Sequence, residues 1–427
     1  MPLAMVGSLM STLRCLIILL AIIAFIAPAL AANPTQDWTC QLGRPGEGGA
    51  YISASPVYNN GIIYTCSFDG MVYAIQAQSG VPQWKFNAGT TIYSTPVFRD
   101  DTLYVGTGNG TFYAIETFGG REKWRFKAAA NVDSTPLIMN GIVFVGSDDG
   151  RIYALKPANG EEILNVSVGG GISTALEGYN SMIYASTADG RVVAVDPSFG
   201  KVKWSVSVGE RAYSPLAHDG YLYLGTYDGS IISMEVYQGS LAWKSQVGSP
   251  VTSRPEYYDG NIYVGAWDGN LYAFNATSGK LAWKFATGGP IKASPLIDKA
   301  RGIIYVGSGD RCLYAVDIRY GLPYWKFQAD SPVYSTPIMV GNKLYFSSYG
   351  TSSGGGIVYS LTLPESVALV TPIPCPTPAS TPEFSPSEGP IVVTFKPSPT
   401  SSSPWCPVPG LVGATVIGLA TARRLRH

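Results

Sequence analysis

The sequence predicts an all-β fold, an eight-bladed β-propeller with four-stranded blades that is closed by the N-terminal strand. Three observations lead to this prediction. Tryptophans recur about every 40 residues, Asp-Gly or Asn-Gly pairs recur at the same interval, and eight segments begin with a small residue followed by proline or its substitute. A repeat of about 40 residues that holds four short strands is typical of a propeller blade.

The tryptophan repeat marks the outer strand of each blade. Six of these residues lie between positions 84 and 325, and one double gap is filled by Leu164. An indole that recurs on an outer strand packs between blades and buries a large apolar area, so its expected role is structural docking. Together with one residue near the N-terminus, the docking tryptophans are Trp38, Trp84, Trp124, Trp204, Trp243, Trp283 and Trp325.

The turn residues divide each repeat into strands. The series of paired turn residues begins with Asp69-Gly70 and Asn109-Gly110 and ends with Asp310-Arg311. Asp-Gly and Asn-Gly favour the positive φ that tight hairpin turns require. A Tyr-Ala pair follows most of these turns, and a second glycine turn precedes the tryptophan strand. One unit is therefore expected to contain four antiparallel strands.

The strand count predicts how the ring closes. Eight proline-type strands run from Ser55-Pro56 to Thr336-Pro337, but only seven tryptophan-type strands follow them. Trp38 precedes the first unit and supplies the missing strand. The N-terminal strand should thus complete the last blade and remove an open sheet edge. The propeller is expected to span residues 33–363.

The two ends of the chain have compositions unlike the repeat. Arg14, the apolar run 15–26 and small residues before position 32 predict a signal peptide over residues 1–32. Residues 364–407 are rich in Pro, Ser and Thr and predict an extended stalk. Residues 408–427 combine a short apolar run with a basic end, which predicts a sorting or anchoring segment. Cleavage and membrane insertion of this segment both remain open.

Charge balance and histidine content exclude several functional classes. The 29 basic and 29 acidic residues give a formal net charge of zero, without the basic excess of nucleic-acid-binding proteins. The chain has only two histidines, His218 and His427. Histidine-based metal sites and catalytic triads are therefore not expected. The sequence predicts no catalytic residue and no metal site, and no cofactor is expected.

The innermost strands face the central channel, so departures from the repeat there mark candidate binding residues. The residues three positions before each proline position are, in chain order, Ser, Tyr, Asp, Ser, Ala212, Thr, Lys and Tyr. Unpaired buried charges are costly, so we expect a paired or hydrated channel lining, with a small anionic ligand near Arg254 and Lys292 as the alternative. The candidates are Tyr93, Asp133, Glu177, Arg254, Glu256, Lys292 and Tyr334.

Cysteines and glycosylation motifs give further expectations. Cys40 and Cys66 fall on neighbouring blades and could form a disulfide, as could Cys375 and Cys406 in the stalk, which leaves Cys312 unpaired. Two Asn-x-Ser/Thr motifs are candidate glycosylation sites, whereas a third, at Asn109, is expected to serve a hairpin turn. The candidates are Asn165 and Asn275.

The segment from Ala273 to Trp283, Ala-Phe-Asn-Ala-Thr-Ser-Gly-Lys-Leu-Ala-Trp, resembles the tryptophan-docking repeat of quinoprotein propellers, as does the segment from Ala194 to Trp204. One branch of that family holds dehydrogenases that use pyrroloquinoline quinone (PQQ), with long propeller domains, two adjacent cysteines and a bound Ca²⁺. The compact, BamB-like branch has blades of about 40 residues, no cofactor and protein partners. The short repeats and the lack of adjacent cysteines resemble the compact branch.

The C-terminal segment is similar to the PGF-CTERM sorting signals of archaeal surface proteins, with Pro409-Gly410-Leu411 in place of their motif. These resemblances imply a secreted, non-enzymatic and monomeric propeller, anchored at the cell surface, that binds envelope or extracellular proteins or polymers. One alternative is an enzyme that binds PQQ or another small ligand at the mouth of the channel. A second alternative is an envelope protein assembly scaffold. Archaeal and bacterial sources both remain open.

Overall fold

The computed structural model describes residues 33–43, 51–350 and 355–365, so the predicted signal peptide, stalk and C-terminal segment lie outside it. Within these ranges, 32 strands form eight antiparallel sheets of four strands each. The predicted eight-bladed, all-β propeller is therefore confirmed. No helix in the described ranges is long and apolar enough to cross a membrane.

The strands follow one another through the blades in chain order, after β1 (Thr35–Gln41). Blade 1 comprises β2 (Val57–Asn59), β3 (Ile62–Cys66), β4 (Met71–Gln76) and β5 (Pro82–Asn87). Blade 2 comprises β6 (Val97–Arg99), β7 (Thr102–Gly106), β8 (Thr111–Glu116) and β9 (Glu122–Lys127). Blade 3 comprises β10 (Leu137–Met139), β11 (Ile142–Gly146), β12 (Arg151–Leu155) and β13 (Glu162–Ser167). Blade 4 comprises β14 (Glu177–Tyr179), β15 (Met182–Ser186), β16 (Arg191–Asp196) and β17 (Lys201–Ser207).

The second half of the ring repeats this order and ends by using the first strand of the chain. Blade 5 comprises β18 (Leu216–His218), β19 (Tyr221–Gly225), β20 (Ser230–Glu235) and β21 (Leu241–Gln246). Blade 6 comprises β22 (Glu256–Tyr258), β23 (Asn261–Gly265), β24 (Asn270–Asn275) and β25 (Leu281–Ala286). Blade 7 comprises β26 (Leu296–Asp298), β27 (Ile303–Gly307), β28 (Cys312–Asp317) and β29 (Pro323–Gln328). Blade 8 comprises β30 (Ile338–Val340), β31 (Lys343–Ser348), β32 (Ile357–Thr362) and β1.

The hydrophobic core lies between adjacent blades. One cluster joins Val72 and Ala74 of blade 1 to Leu103 and Val105 of blade 2, and all four side chains are fully buried. The two middle strands of a blade are covered on both faces in this way, so they are nearly continuously apolar. The outer strand of each blade pairs with only one other strand. In blades 1, 5 and 6 its residues are exposed or half-buried, largely in alternation.

The Asp-Gly turns are held by the tyrosine of the following Tyr-Ala pair. Asp69 accepts a hydrogen bond from the backbone N–H of Met71 at 2.9 Å and another from Tyr73 Oη at 2.6 Å. Gly70 has a φ of +79°, which glycine adopts without strain. The tyrosine bond recurs at 2.6 Å for Asp149, Asp268 and Asp310.

Each docking tryptophan joins its blade to the next one. Trp84 Nε1 donates to the carbonyl oxygen of Thr117 at 2.9 Å, in the turn between the third and fourth strands of blade 2. Gly120 in that turn has a φ of +68°, and a Cβ atom there would lie 2.5 Å from the Trp84 ring. Only glycine fits against the indole. The same indole bond, at 2.7–3.2 Å, is made by Trp38, Trp124, Trp204, Trp243 and Trp283.

Two of the eight joints lack this bond, for different reasons. In blade 1, Tyr64 lies beside Trp84 and its hydroxyl donates to the same carbonyl oxygen. In blade 3, Leu164 takes the tryptophan position and Phe144 takes the tyrosine position, so neither side chain has a hydrogen-bond donor. In blade 7, Trp325 Nε1 is buried without an acceptor among the described residues. At this joint β32 is not followed by a turn into a fourth strand, because β1 supplies the fourth strand of blade 8.

Closure by the N-terminal strand is consistent with the sheet of blade 8. β1 pairs with β32 from Thr35 to Gln41, and Trp38 Nε1 donates to the carbonyl oxygen of Ala77 in blade 1 at 3.0 Å. The Asp37 carboxylate accepts bonds from Lys343 Nζ at 2.9 Å and from the hydroxyls of Ser360 and Thr362. Trp38 thus occupies the place predicted for it.

A disulfide between Cys40 and Cys66 is not formed, and this expectation was wrong. Both are free, buried thiols, as is Cys312. Cys66 belongs to the core between blades 1 and 2, whereas Cys40 belongs to the core between blades 8 and 1. The two cysteines therefore lie on opposite faces of blade 1. Burial raises the pKa of each of the three thiols.

Candidate binding site at the mouth of the channel

Two kinds of loop meet at one end of the channel, which we call the mouth. The leading loop precedes the inner strand of each blade, and the tip turn joins its second and third strands. A backbone N–H of each tip turn donates to a carbonyl oxygen of the leading loop of the same blade. Examples are Phe68 to Tyr51 at 2.9 Å and Trp267 to Pro250 at 3.0 Å. This repeated bond fixes the two loops side by side.

The residue two positions after the accepting carbonyl lines the mouth. In blade 5 the carbonyl belongs to Arg211, so the lining residue is Tyr213. The predicted lining residue, Ala212, is only 1% exposed and occupies the buried position held elsewhere by Val132 and Ile291, so its assignment was wrong. The lining series is Ser53, Tyr93, Asp133, Ser173, Tyr213, Thr252, Lys292 and Tyr334.

Aromatic side chains contact one another in two groups around most of the mouth, and we call the two groups together the aromatic arc. Tyr227 of blade 5 contacts Trp267 of blade 6, with ring centroids 6.1 Å apart. Phe68 of blade 1 contacts Tyr349 of blade 8 at 6.1 Å and Tyr93 of blade 2 at 4.5 Å. The arc is completed by ring contacts among Tyr51, Tyr334 and Tyr349.

Lys292 of blade 7 fills the gap in the arc. Its Nζ atom lies 4.5 Å from the ring centroid of Trp267 and 4.7 Å from that of Tyr334. An ammonium group over two aromatic faces is stabilised by cation–π attraction. Burial lowers the pKa of Lys292 and raises that of Tyr334. Among the described hydrogen bonds and ion pairs, none gives this ammonium group an acceptor.

Blade 3 places two carboxylates at the mouth instead of rings. Burial and the charge of Asp148 raise the pKa of Asp133 to about 6, while a hydrogen bond with the Asn131 side chain acts in the opposite direction. The Asp133 Oδ1 atom is buried without a hydrogen-bond partner in the described part of the chain. Burial also raises the pKa of Asp148, against the charge of Arg211.

Arg211 is held near the mouth on the blade 4 side. Its guanidinium group donates to Ser173 Oγ at 2.6 Å and lies over the ring of Tyr213, 5.6 Å from its centroid. The mouth thus has aromatic rings and Lys292 on one side, and small residues and two carboxylates on the other.

The other three sequence candidates form a separate ion-pair cluster on the inner strands. Arg254 donates to Glu177 at 2.9 Å and to Glu256 at 2.8 Å. The second oxygen of Glu177 accepts the backbone N–H of Ala217 at 3.0 Å. Burial lowers the pKa of Arg254, but the two carboxylates outweigh it and raise the pKa above its usual value. Burial raises the pKa of Glu256. This cluster links blade 4 to blade 6, and both terminal nitrogens of the guanidinium group are bonded.

Both glycosylation candidates are exposed. Asn165 lies on β13, where its side chain bonds Arg151 and Glu162. Asn275 ends β24, and its Oδ1 accepts bonds from the backbone and hydroxyl of Ser278. Asn109 holds its turn by accepting the N–H of Thr111 at 3.0 Å, as expected for a structural residue.

Sequence reasoning missed five members of the arc, which are Tyr51, Phe68, Tyr227, Trp267 and Tyr349. Except for Tyr51, they occupy the same tip-turn position, which directly precedes an Asp-Gly pair in three blades and Gly350 in blade 8. Across the eight blades this position varies from glycine to tryptophan, while the next residue is nearly always Asp or Asn. That contrast was available in the sequence and would have identified the tip turns.

The fold and the loops define an eight-bladed propeller of the quinoprotein type. The family described as outer membrane protein assembly factor BamB matches residues 30–138, 120–217 and 207–299. Together these matches cover 270 of the 427 residues (30 to 299), and the chain belongs to this family of PQQ-type repeats. No curated protein matches the chain.

Solved structures share the fold at low sequence identity. BamB from Moraxella catarrhalis is 20% identical with a TM-score of 0.63, over 78% of this chain and 99% of that one. The quinohemoprotein alcohol dehydrogenase from Comamonas testosteroni is 16% identical with a TM-score of 0.64, over 78% of each chain. The computationally designed Ika8 protein is 18% identical with a TM-score of 0.65, over 75% and 98%. These similarities establish the architecture alone.

The residues at the mouth do not fit the calcium-bound quinone of the dehydrogenases. The sequence has no two adjacent cysteines. Within residues 33–43, 51–350 and 355–365, no group of three or more His, Cys, Asp or Glu side chains is placed to hold a metal ion.

Proposed function

We propose that this chain is a secreted, non-enzymatic propeller, anchored at the cell surface by its C-terminal segment, that binds an envelope or extracellular partner at the mouth of its channel. The observation that supports the binding role is the contrast between a regular ring and an irregular mouth. The tip-turn bond recurs in all eight blades, while the side chains beside it change from blade to blade. Aromatic residues that differ between repeats are typical of binding surfaces.

An affinity experiment tests the binding role. The full mature protein is immobilised beside Trp267→Ala and a control, Tyr320→Ala, which removes an aromatic residue 64% exposed on a turn at the opposite end of the blades. We expect an envelope component to be retained by the wild type and the control and to be lost from Trp267→Ala. Equal retention by all three proteins would contradict a binding role for the mouth.

The enzymatic alternative has support from the dehydrogenases that share the fold. It predicts stoichiometric binding of added PQQ with Ca²⁺ and oxidation of alcohols or sugars coupled to a dye. We expect neither, because the donor groups described above do not fit. Dye reduction that is lost in Lys292→Ala would establish the enzyme instead.

The predicted location rests on residues outside the described ranges, so it is tested chemically. Intact-mass analysis of protein extracted from the envelope should show loss of residues 1–32. Loss of about the last 18 residues together with an added mass would support sorting near Pro409-Gly410, as the resemblance to sorting signals implies. A mature chain that still ends at His427 would favour a membrane-inserted segment.

A further inference from the structure

Three features of the mouth do not belong to the repeated contacts that join the blades. The aromatic arc adds a tryptophan, Trp267, that is not a docking residue. The ammonium group of Lys292 has aromatic contacts but none of the described acceptors. The Asp133 Oδ1 atom is buried without a described donor. Asp133 and Lys292 are only half-buried, so the accessible part of each charged group can bond a ligand at the mouth.

The arc offers ring surface to a ligand. Tyr227 is 49% exposed, and Trp267 and Tyr334 are half-buried, so each presents part of its ring to the mouth. Trp267 Nε1 is already bonded to Thr252 Oγ1 at 3.0 Å, which fixes the indole in place. A preorganised aromatic surface binds flat, weakly polar groups at low entropic cost.

The charged groups restrict the chemistry of that ligand. Lys292 of blade 7 and Asp133 of blade 3 are four blades apart in a ring of eight, and so face each other across the mouth. An acidic ligand would be attracted by Lys292 but repelled by Asp133 and Asp148. A basic ligand would be attracted by Asp133 and Asp148 but repelled by Lys292 and Arg211. A neutral ligand with hydroxyl groups satisfies both sides, because each hydroxyl both donates and accepts.

We propose that the mouth binds a neutral oligosaccharide chain, with sugar rings stacked on the aromatic arc and hydroxyl groups bonded to Lys292 and Asp133. A sugar ring presents C–H groups on its faces and hydroxyls on its edge, which matches aromatic surface flanked by polar side chains. Because the polar partners lie on opposite sides, several linked sugars fit better than one. This inference rests on the proposed function and names the polymer that the mouth would bind.

Titration calorimetry and tryptophan fluorescence test the proposal on the full mature protein. The probes are glucose, the β-1,4-linked hexasaccharides of glucose and of N-acetylglucosamine, and a deproteinised neutral polysaccharide fraction from the native envelope. At least one polymer is expected to bind and to change the fluorescence of Trp267, while glucose binds at least tenfold more weakly.

Variants assign the binding to the mouth. Trp267→Ala should weaken binding about tenfold, and Trp267→Phe should weaken it less because a ring remains. Asp133→Asn and Lys292→Met should each weaken it several-fold, whereas the control Tyr320→Ala should leave it unchanged. Each variant is first shown to be folded by a single cooperative thermal unfolding transition.

The outcomes separate this inference from the proposed function. If no sugar polymer binds but an envelope protein is captured and lost with Trp267→Ala, the oligosaccharide proposal is overturned and the binding role stands. If sugar polymers bind equally well to Trp267→Ala and Tyr320→Ala, the binding lies elsewhere and the proposal is overturned. If the wild type captures nothing and binds no polymer, both proposals fail.

Discussion

The outer joints and the mouth of the channel belong to the same eight blades but follow opposite rules. At the joints, six indoles donate to the equivalent carbonyl of the next blade, each at 2.7–3.2 Å. At the mouth, only the backbone bond repeats, and the side chains range from Gly108 to Trp267. The comparison indicates that the repeated contacts reside at the joints, while the side chains at the mouth differ from blade to blade.

The largest test of this division is removal of the closing strand. Deletion of residues 33–43 takes β1 and Trp38 away and exposes the edge of β32. We expect the unfolding free energy to fall by about 5 kcal/mol or more, since loss of one core tryptophan alone costs about 3–5 kcal/mol. The open edge should also promote association, measured by light scattering. An unchanged melting temperature and a monodisperse sample would contradict closure by β1.

The two kinds of tryptophan should differ strongly. Trp124 is 8% exposed, packs on Gly160 and donates to Pro157, so Trp124→Ala should cost about 3–5 kcal/mol in chemical denaturation. Trp267→Ala, its matched control at the mouth, should cost about 1 kcal/mol or less because the ring is partly exposed. Similar losses for both variants would show that the mouth is part of the stabilising framework.

The mouth should even contain a destabilising charge. Burial raises the pKa of Asp133 to about 6, so the folded protein holds a proton there that the unfolded chain releases at lower pH. Stability should therefore fall as pH rises from the ordinary carboxyl range through about 6. Asp133→Asn should remove this decline and be more stable by about 1–2 kcal/mol above pH 6, with no advantage at pH 4. Parallel pH profiles for the two proteins would contradict the assignment.

The exceptional joint between blades 3 and 4 offers the smallest test. Leu164 leaves 3.9 Å to the Cβ position of Gly200, against 2.4–2.8 Å at the tryptophan joints. Leu164→Trp should restore the indole contact and one hydrogen bond, and so stabilise the protein by about 1 kcal/mol. Thermal unfolding measures the change, and Leu164→Phe, which adds a ring but no donor, is the control. A destabilised tryptophan variant would show that this joint has been repacked around leucine.

The ring could be predicted from the sequence because its joints depend on strict local rules. A glycine with positive φ under an indole, such as Gly120 under Trp84, permits no other residue, so the pattern survives in every blade that uses it. The same regularity identified Trp38 as part of the last blade, although more than 300 residues separate it from β32. The contact that determines the fold, a glycine packed under a tryptophan, is therefore recognisable in the sequence from its regular spacing.

The mouth could not be predicted in the same way. Tyr213 was missed because the leading loop of blade 5 is one residue shorter, and counting back from Pro215 gave the buried Ala212. The Cys40–Cys66 disulfide failed because neighbouring blades share only one face, and the two thiols face different cores. The first error came from a loop that is one residue shorter, and the second from the arrangement of the blade faces in space, which spacing along the chain does not encode.

The position of β32 determines how the propeller would bear mechanical load. This strand is the last before the predicted stalk, and it is held on both sides, by six residue pairs to β31 and six to β1. A pull along the chain beyond Thr362 would strain two hydrogen-bonded ladders in shear at once, and could not peel one edge strand away bond by bond. Asp37 adds a cross-link between β1 and the same region through Ser360 and Thr362. A ring tethered through β32 would therefore meet a pulling force by shear of two paired ladders, in which many hydrogen bonds bear the load together.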